Sequence, residues 1–269
     1  MKKILLAILL SLVICPLSLS MSGCGSSTDE NTTKVGTLTQ LNSTPEQAAN
    51  ISGGELNFYE NFNSMQMALS AKHIDKMQTY QSVAKYLTAI NSDFAIDDDQ
   101  RTTALVDNFC CAVREDNVDL KNDFDEAIES MKADGTLDAL TEKFIRNPSL
   151  TPPAVALPTF DNANVILVGI TGDLPPLDLV LADGTPAGFN TAVLAEIGNR
   201  LLRNIELVDV DSGARAAALT SNQVDAVFWA IVPVSEIIPK DSDKPKGIAL
   251  TEPYFKDKIV HMIFKANEK

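Results

Sequence analysis

Histidine is nearly absent: His73 and His261 are the only two in 269 residues. Both sit on strand or strand-edge stretches, where a structural or surface role is the simpler reading. That leaves little material for His-based acid–base catalysis. Basic residues are also scarce, 22 Lys and Arg against 36 Asp and Glu, for a net charge of −14. A surface that acidic repels phosphate backbones, so nucleic acid is excluded as a partner. Only four Cys occur: Cys15, Cys24, Cys110 and Cys111. The last two are adjacent in NFCCAVRED, and neighbouring Cys seldom bridge because the geometry strains the peptide between them. They read as two half-buried strand residues. With no His or further Cys nearby, no metal site and no cofactor is expected.

What is present begins with an export signal, predicted over residues 1–23. Lys2 and Lys3 precede the apolar run Ile4 to Leu19, and small residues follow. Met21-Ser22-Gly23-Cys24 looks like a bacterial lipobox, in which the signal is cut before the Cys and its thiol carries lipid. Removing residues 1–23, with two Lys and no acid, takes the net charge from −14 to −16. Residues 24–33 are then a polar tether with almost no apolar content. No later run is long enough to span a bilayer. The expectation is an extracytoplasmic, membrane-anchored lipoprotein, tethered to the membrane and not threaded through it.

The rest of the chain alternates strand and helix signals. Strands are expected at Lys34–Leu41, Glu55–Tyr59, Ile74–Thr79 and Ala104–Val113. Thr44-Pro45-Glu46-Gln47 starts a helix with a capping box. Asn63 is expected to cap a short helix, Ser82–Leu87 forms another, and Asp97–Gln100 is a solvated turn. From Asp119, Leu120, Phe124, Ile128 and Met131 recur on one helical face. Gly135 ends that helix and Thr136 starts the next, with Leu137, Leu140 and Phe144 on one side. Pro148, Pro152, Pro153 and Pro158 then mark a stiff linker. Val165–Ile170 is a buried strand, followed by Pro175-Pro176, a second apolar run at Leu177–Leu181, and Gly188-Phe189 opening a helix to Leu202. Ile205–Val210, Val224–Trp229 and Lys258–Lys265 read as strands, with a short helix from Ser212 to Leu219.

The stretch VILVGITGDLPPLDLVLADGTPAGFN, residues 165–190, resembles the amino terminus of the extracellular solute-binding proteins of ABC importers, polar-amino-acid type. FDEAIESMKADGTLDALTEKFI resembles the last two helices of that family, and Glu252-Pro253-Tyr254 stands where the family has its Asp-Pro-Tyr element. The pieces come in rotated order. The resemblance therefore implies an α/β, two-lobed periplasmic-binding-protein-like (type II) fold with a hinge, circularly permuted. Residues 34–110 would be lobe 2, and 111–147 the hinge return and closing helices packing on lobe 1. Residues 148–163 would be a Pro-rich linker, and 164–269 lobe 1. One covalent crossing is expected near Asn108 to Val113. The second would be rebuilt by strands from Lys258–Lys265 and Lys34–Thr37 lying side by side.

The same resemblance implies a ligand cleft between the lobes. The family holds an α-carboxylate with an Arg and an α-amino group with an acid. Counting from Asp225, the Arg position falls on Ile237 and a neighbouring Thr position on Val232, while Tyr80 stands where the acid is expected. A zwitterion buried without these clamps is several kcal/mol worse off, so an ordinary amino acid in the usual pose is not expected. The cleft is instead expected from Thr171, Asp173, Leu174 and Leu177 in the first loop, Ser212 and Arg215 in a Ser-x-x-Arg pair, and Trp229, Ala230 and Val232. The second lobe would add Thr39, Asn42, Ser43, Thr79 and Tyr80. One Arg among aromatics suits a planar or methylated cation by stacking, and equally an aromatic acid.

The implied function is non-enzymatic: a lipid-anchored substrate-binding component, monomeric, handing a small polar or aromatic solute to an ABC permease. A ligand sensor not coupled to transport is one alternative, and a dehydratase-like enzyme on the same fold is another. Asp173 is the one carboxylate expected near the cleft, thin support for catalysis.

Overall fold

A computed structural model describes residues 32–39, 53–97, 105–231 and 244–265. The expected signal, most of the tether, the helix starting at Thr44 and the turn beyond Asp97 lie outside them. Among the described residues, no helix is long and apolar enough to cross a membrane.

Three strands, β1 (Lys34–Leu38), β2 (Glu55–Tyr59) and β3 (Lys76–Tyr80), run parallel with β1 in the middle. A short strand, β4 (Phe94–Asp97), belongs to the same lobe but was not foreseen, because four residues beside an acidic turn carry no readable period. A second parallel set follows later: β6 (Val165–Ile170), β10 (Asn204–Asp209) and β11 (Ala226–Ile231), with β6 central. Two long strands join the sets. One is β5 (Val106–Arg114), antiparallel to β11; the other is β13 (Phe255–Phe264). Residues Phe255–Lys258 of β13 pair with β5, whereas Ile259–Met262 pair with β3 and His261–Phe264 with β4. One strand thus passes from the first-named partner sheet to the second without a break. The path of the ten-stranded sheet is β10-β6-β11-β5-β13-β3-β1-β2, with β4 on β13 and β12 (Ile248–Leu250) on β5 off it.

This topology corrects the expected meeting of the first and last strands. They are not side by side, because β3 lies between β13 and β1. The last residues of the chain were also assigned wholly to lobe 1, yet the second half of β13 pairs only with lobe-2 strands. A ten-residue strand is long enough to serve both lobes, and no local pattern says which neighbours it takes.

Helices cover the sheet where apolar periodicity requires it. Helix α1 (Phe62–Ser70) is capped by Asn61, not Asn63: the Asn61 side chain accepts from the Ser64 N–H at 2.9 Å. At α2 (Gln81–Ile90), the first turn is capped from β13, with the Ser82 N–H donating to the Asp257 carboxylate at 2.9 Å. Helix α3 (Val118–Ala133) starts at an Asn117 cap and buries Leu120, Phe124, Ile128 and Met131. It turns at Gly135, whose φ of 81° favours Gly, into α4 (Thr136–Thr141), which continues as a wider turn to Arg146.

The helical pair packs on α5 (Phe189–Leu201), the helix that follows β6. Phe124, Ile128 and Met131 share one core with Ile166, Val168, Val193, Leu194 and Ile197. Each such side chain, fully buried, contributes about 1.5–3 kcal/mol. At the rim, the Arg200 guanidinium reaches Ser130 at 2.6 Å, Asp134 at 2.7 Å and Thr136 at 3.1 Å. Arg203 pairs with Asp123 at 2.9 Å.

The Pro-rich stretch lies along this lobe. The Val155 N–H donates to the Pro186 carbonyl at 2.8 Å, and Phe160 and Asn204 exchange two bonds at 2.6 and 3.1 Å. Ala154 bridges Ala187 in β9 (Pro186–Ala187), the last strand of a small sheet with β7 (Asp173–Leu174) and β8 (Asp178–Val180). Cys110 and Cys111 lie in β5, both fully buried and not half-buried.

Candidate functional site

Parallel strands bring their carboxyl ends to one edge, and in open α/β sheets ligands bind there. Here two such edges face one another. One lobe presents Thr171 after β6, Ser212 after β10 and Ala230 in β11. The other presents Thr39 after β1, Glu60 after β2 and Tyr80 closing β3. Between them is a cavity of ≈ 40 Å³, lined in part by Leu38, Tyr80, Leu174, Asp178, Arg215 and Trp229.

The centre of the site is Arg215, the first residue of α6 (Arg215–Thr220) and 9 % exposed. Its guanidinium donates to the Phe228 carbonyl at 3.2 Å and to the Thr171 hydroxyl at 3.4 Å. Asp178 lies 4.0 Å away. That carboxylate is 1 % exposed and accepts from the Thr171 hydroxyl at 3.2 Å and the Gly172 N–H at 3.3 Å. Burial pulls the Arg215 guanidinium down from its usual value, and Asp178 opposes that pull. A buried ion pair persists only when extra hydrogen bonds satisfy both partners, which Thr171 does for both.

The lobes also touch directly. From one side, the Asp173 carboxylate accepts the Asn63 N–H at the start of α1, at 2.8 Å. From the other, the Glu60 carboxylate accepts the Gly213 N–H at 3.0 Å, and the Glu60 carbonyl accepts the Ser212 N–H at 3.0 Å. The Ser212 hydroxyl donates to the Tyr59 carbonyl at 3.3 Å. Burial raises the carboxyl of Asp173, outweighing the Asn63 N–H that lowers it. Gly213 permits this approach: a Cβ there would stand 2.5 Å from Glu60 Oε2.

Aromatic rings form the wall and run into the hinge strands. Tyr80 meets Phe109 edge-on at 4.6 Å between centroids, Phe109 meets Phe255 at 5.3 Å, and Phe255 meets Phe189 at 5.0 Å. The Tyr80 hydroxyl is turned to the Asp107 carboxylate at 2.8 Å, so Tyr80 offers its ring to the cavity.

The expected residues separate into four groups. Leu174, Tyr80, Ser212, Arg215, Trp229 and Ala230 line the cavity, with Thr171 bonded to Arg215 behind them. Asp173 and Thr39 lie at the seam, Thr39 donating to the Tyr59 carbonyl at 3.2 Å. Leu177 and Thr79 do not line the cavity; both are buried, Leu177 in the apolar core. Trp229 is only partly a wall, because it also packs against Val210, Leu219 and Val224. Asn42, Ser43, Val232, Ile237 and Cys24 fall outside the described residues. Sequence reasoning missed Asp178, Glu60 and Asn190, which accepts the Tyr254 hydroxyl at 2.9 Å. For Glu60 the available signal was an acid directly after an apolar strand end, in Tyr59-Glu60, whereas Asp178 opens β8. Among the described residues no group of His, Cys, Asp and Glu could hold a metal ion.

Comparison with known proteins identifies the chain's family. Residues 41–147 and 166–269 match the family model for bacterial extracellular solute-binding proteins, family 3. No protein of curated description matches. Among solved structures, the chain is similar to the zinc-bound ligand-binding component of an ABC-type import system from Staphylococcus aureus. Identity is 11 % over 87 % of this chain, the TM-score is 0.45, and the chain spans 66 % of that protein's length. It is also similar to an ancestral amino acid-binding protein, a precursor of cyclohexadienyl dehydratase, at 11 % identity, TM-score 0.42, and 89 % and 84 % coverage. An arginine-bound mutant of ArgBP from T. maritima aligns at 13 % identity, TM-score 0.39, covering 87 % of this chain and 88 % of that one. With both matched segments spanning most of its length, this chain belongs to the bacterial extracellular solute-binding proteins, family 3.

Proposed function

We propose that this chain is the solute receptor of an ABC-type importer, tethered outside the membrane by lipid on Cys24, and that it closes two lobes around a small polar or aromatic ligand. The observation that carries this reading is Arg215, a buried guanidinium at the meeting point of six parallel strand ends, lined by aromatic rings and with the lobes in direct contact around it. Among the described residues two strands, β5 and β13, connect the lobes, so few residues need rotate for the cleft to open. A membrane permease is the implied receiver of the solute, and the receptor acts as a monomer.

The lobes are read as a re-threaded version of the family's order. Lys34, at the start of β1, and Lys265, just past β13, flank β3 at the edge of the sheet away from the cleft. Two strand spacings put them roughly 10 Å apart, a gap that a short loop would close. The Pro-rich stretch between Arg146 and Val165 bridges what the family leaves as ends, and its bonds to β9 and Asn204 hold it on lobe 1. Residues 34–110 then supply lobe 2, residues 111–147 the return and closing helices, and residues 164–258 lobe 1, with β13 passing on into lobe 2.

The test is mass spectrometry of small molecules released by denaturing the purified protein, followed by uptake measurements in cells lacking it. A stoichiometric solute whose uptake falls in the deletion strain supports the receptor. Solute release with unchanged uptake favours a sensor, and turnover of the released solute favours an enzyme.

A further inference from the structure

We propose that the cleft selects a small cationic solute that brings a hydrogen-bond acceptor but no carboxylate. This rests on reading the cleft as the solute site. Arg215 would ordinarily attract a ligand carboxylate, but here that role is already taken from within the same lobe. Asp178 lies 4.0 Å from the guanidinium. It is pinned by Thr171 and Gly172, so it does not swing aside when a solute enters.

The guanidinium's remaining donors are unevenly used. One terminal nitrogen serves the Phe228 carbonyl and the other the Thr171 hydroxyl. Its Nε is buried and has no partner. A buried donor left unmade is costly, so the solute should bring an acceptor such as a hydroxyl or carbonyl oxygen. Asp173 adds a second carboxylate at the seam, where it accepts the Asn63 N–H. One guanidinium against the carboxylates of Asp178 and Asp173 leaves the cleft negative whenever both are ionised. A cation cancels that excess, whereas a carboxylate would add a third like charge. The rings of Tyr80, Phe109, Phe228 and Trp229 line the same space, and aromatic faces attract cations. A cavity of ≈ 40 Å³ is room for only a few waters' worth of solute when closed.

The experiment uses matched probes of differing charge against the mature protein by calorimetry: 2-aminoethanol, glycolate and glycine, then tyramine, 4-hydroxyphenylacetate and tyrosine. Within whichever set binds, the amine should bind at least tenfold more tightly than its acid and its zwitterion. In Asp178→Asn, which frees the guanidinium, that preference should invert toward the acid. Should that variant not fold, Asp173→Asn should weaken the amine at least tenfold with Arg215 and Asp178 intact. A tighter acid or zwitterion in the unaltered protein overturns the inference. So does a solute released on denaturation that carries a carboxylate, although the receptor reading survives both results. If no solute is released and no probe of either set binds at millimolar concentration, the inference and the receptor reading fall together.

Discussion

The Asp173 carboxylate accepts the Asn63 backbone N–H at 2.8 Å, so a side chain from the β7 turn of one lobe holds the first turn of α1 in the other. Glu60 repeats the arrangement in the opposite direction, on the Gly213 N–H at 3.0 Å. Each lobe therefore lends a carboxylate to a backbone donor of its partner. A carboxylate at a helix start meets both a free N–H and the positive end of the helix dipole.

Loosening this double contact should weaken closure. Glu60→Ala removes the bond to Gly213, and Gly213→Ala pushes the same carboxylate away by placing a Cβ 2.5 Å from its Oε2. A hydrogen bond to a charged group contributes about 1.5–3 kcal/mol, equivalent to roughly a ten- to hundredfold loss of solute affinity. Solution scattering should show both variants more extended than the parent, and an unchanged radius of gyration in both would rule out the latch.

The Asp173 contact should depend on pH. Burial raises its carboxyl above the ordinary value of 3.8, against the pull of the Asn63 N–H, so ionising Asp173 costs more in the folded protein than in the unfolded chain. Its contribution is complete below pH ~4 and is lost as pH rises through the raised value. Asp173→Asn, neutral throughout, should therefore gain in melting temperature relative to the parent as pH rises from ~4. Parallel curves across that range would show that Asp173 does not titrate on closure. Asp257, also raised by burial, gives a slope of the same sign in both proteins and cancels in the difference.

Arg200 should hold the helical pair to α5. Its guanidinium is bonded to Ser130, Asp134 and Thr136 and is partly exposed. Arg200→Ala should cost about 1–2 kcal/mol, a fall in melting temperature of roughly 2–8 °C for a protein of this size. Hydrogen exchange should quicken in α3 and α4 ahead of β1 to β3. Uniform loss across both lobes would mean that the helices do not depend on this clamp.

The two adjacent thiols should be inert in the native protein. Cys110 and Cys111 are 4 % and 1 % exposed, and burial pushes the Cys111 thiol far above its ordinary value. Reactivity needs the thiolate. Iodoacetamide at neutral pH should add no mass to β5 until denaturant is present, and rapid native labelling would show that β5 opens.

Much of the fold is visible in local pattern. Val165–Ile170 reads as a strand and forms one with the same bounds, because a short apolar run between polar residues has few other uses. Leu120, Phe124, Ile128 and Met131 announce the buried face of α3 before any partner is known. The site was partly visible too: Arg215, Tyr80 and Trp229 stand out by type, Tyr80 closing β3, Trp229 within β11 and Arg215 opening α6. Leu177 was misplaced because an apolar residue in a binding loop and one beneath it look alike in sequence.

Sequence by itself determined the alternation of strands and helices, the buried faces and the family, since these depend on residue type and spacing over a few turns. Tertiary structure decided which strand separates β1 from β13, and that Arg215 already has Asp178 beside it. Both depend on pairings between distant segments. A residue's own neighbours in sequence report whether it will be buried, while the fold determines which charge it meets there.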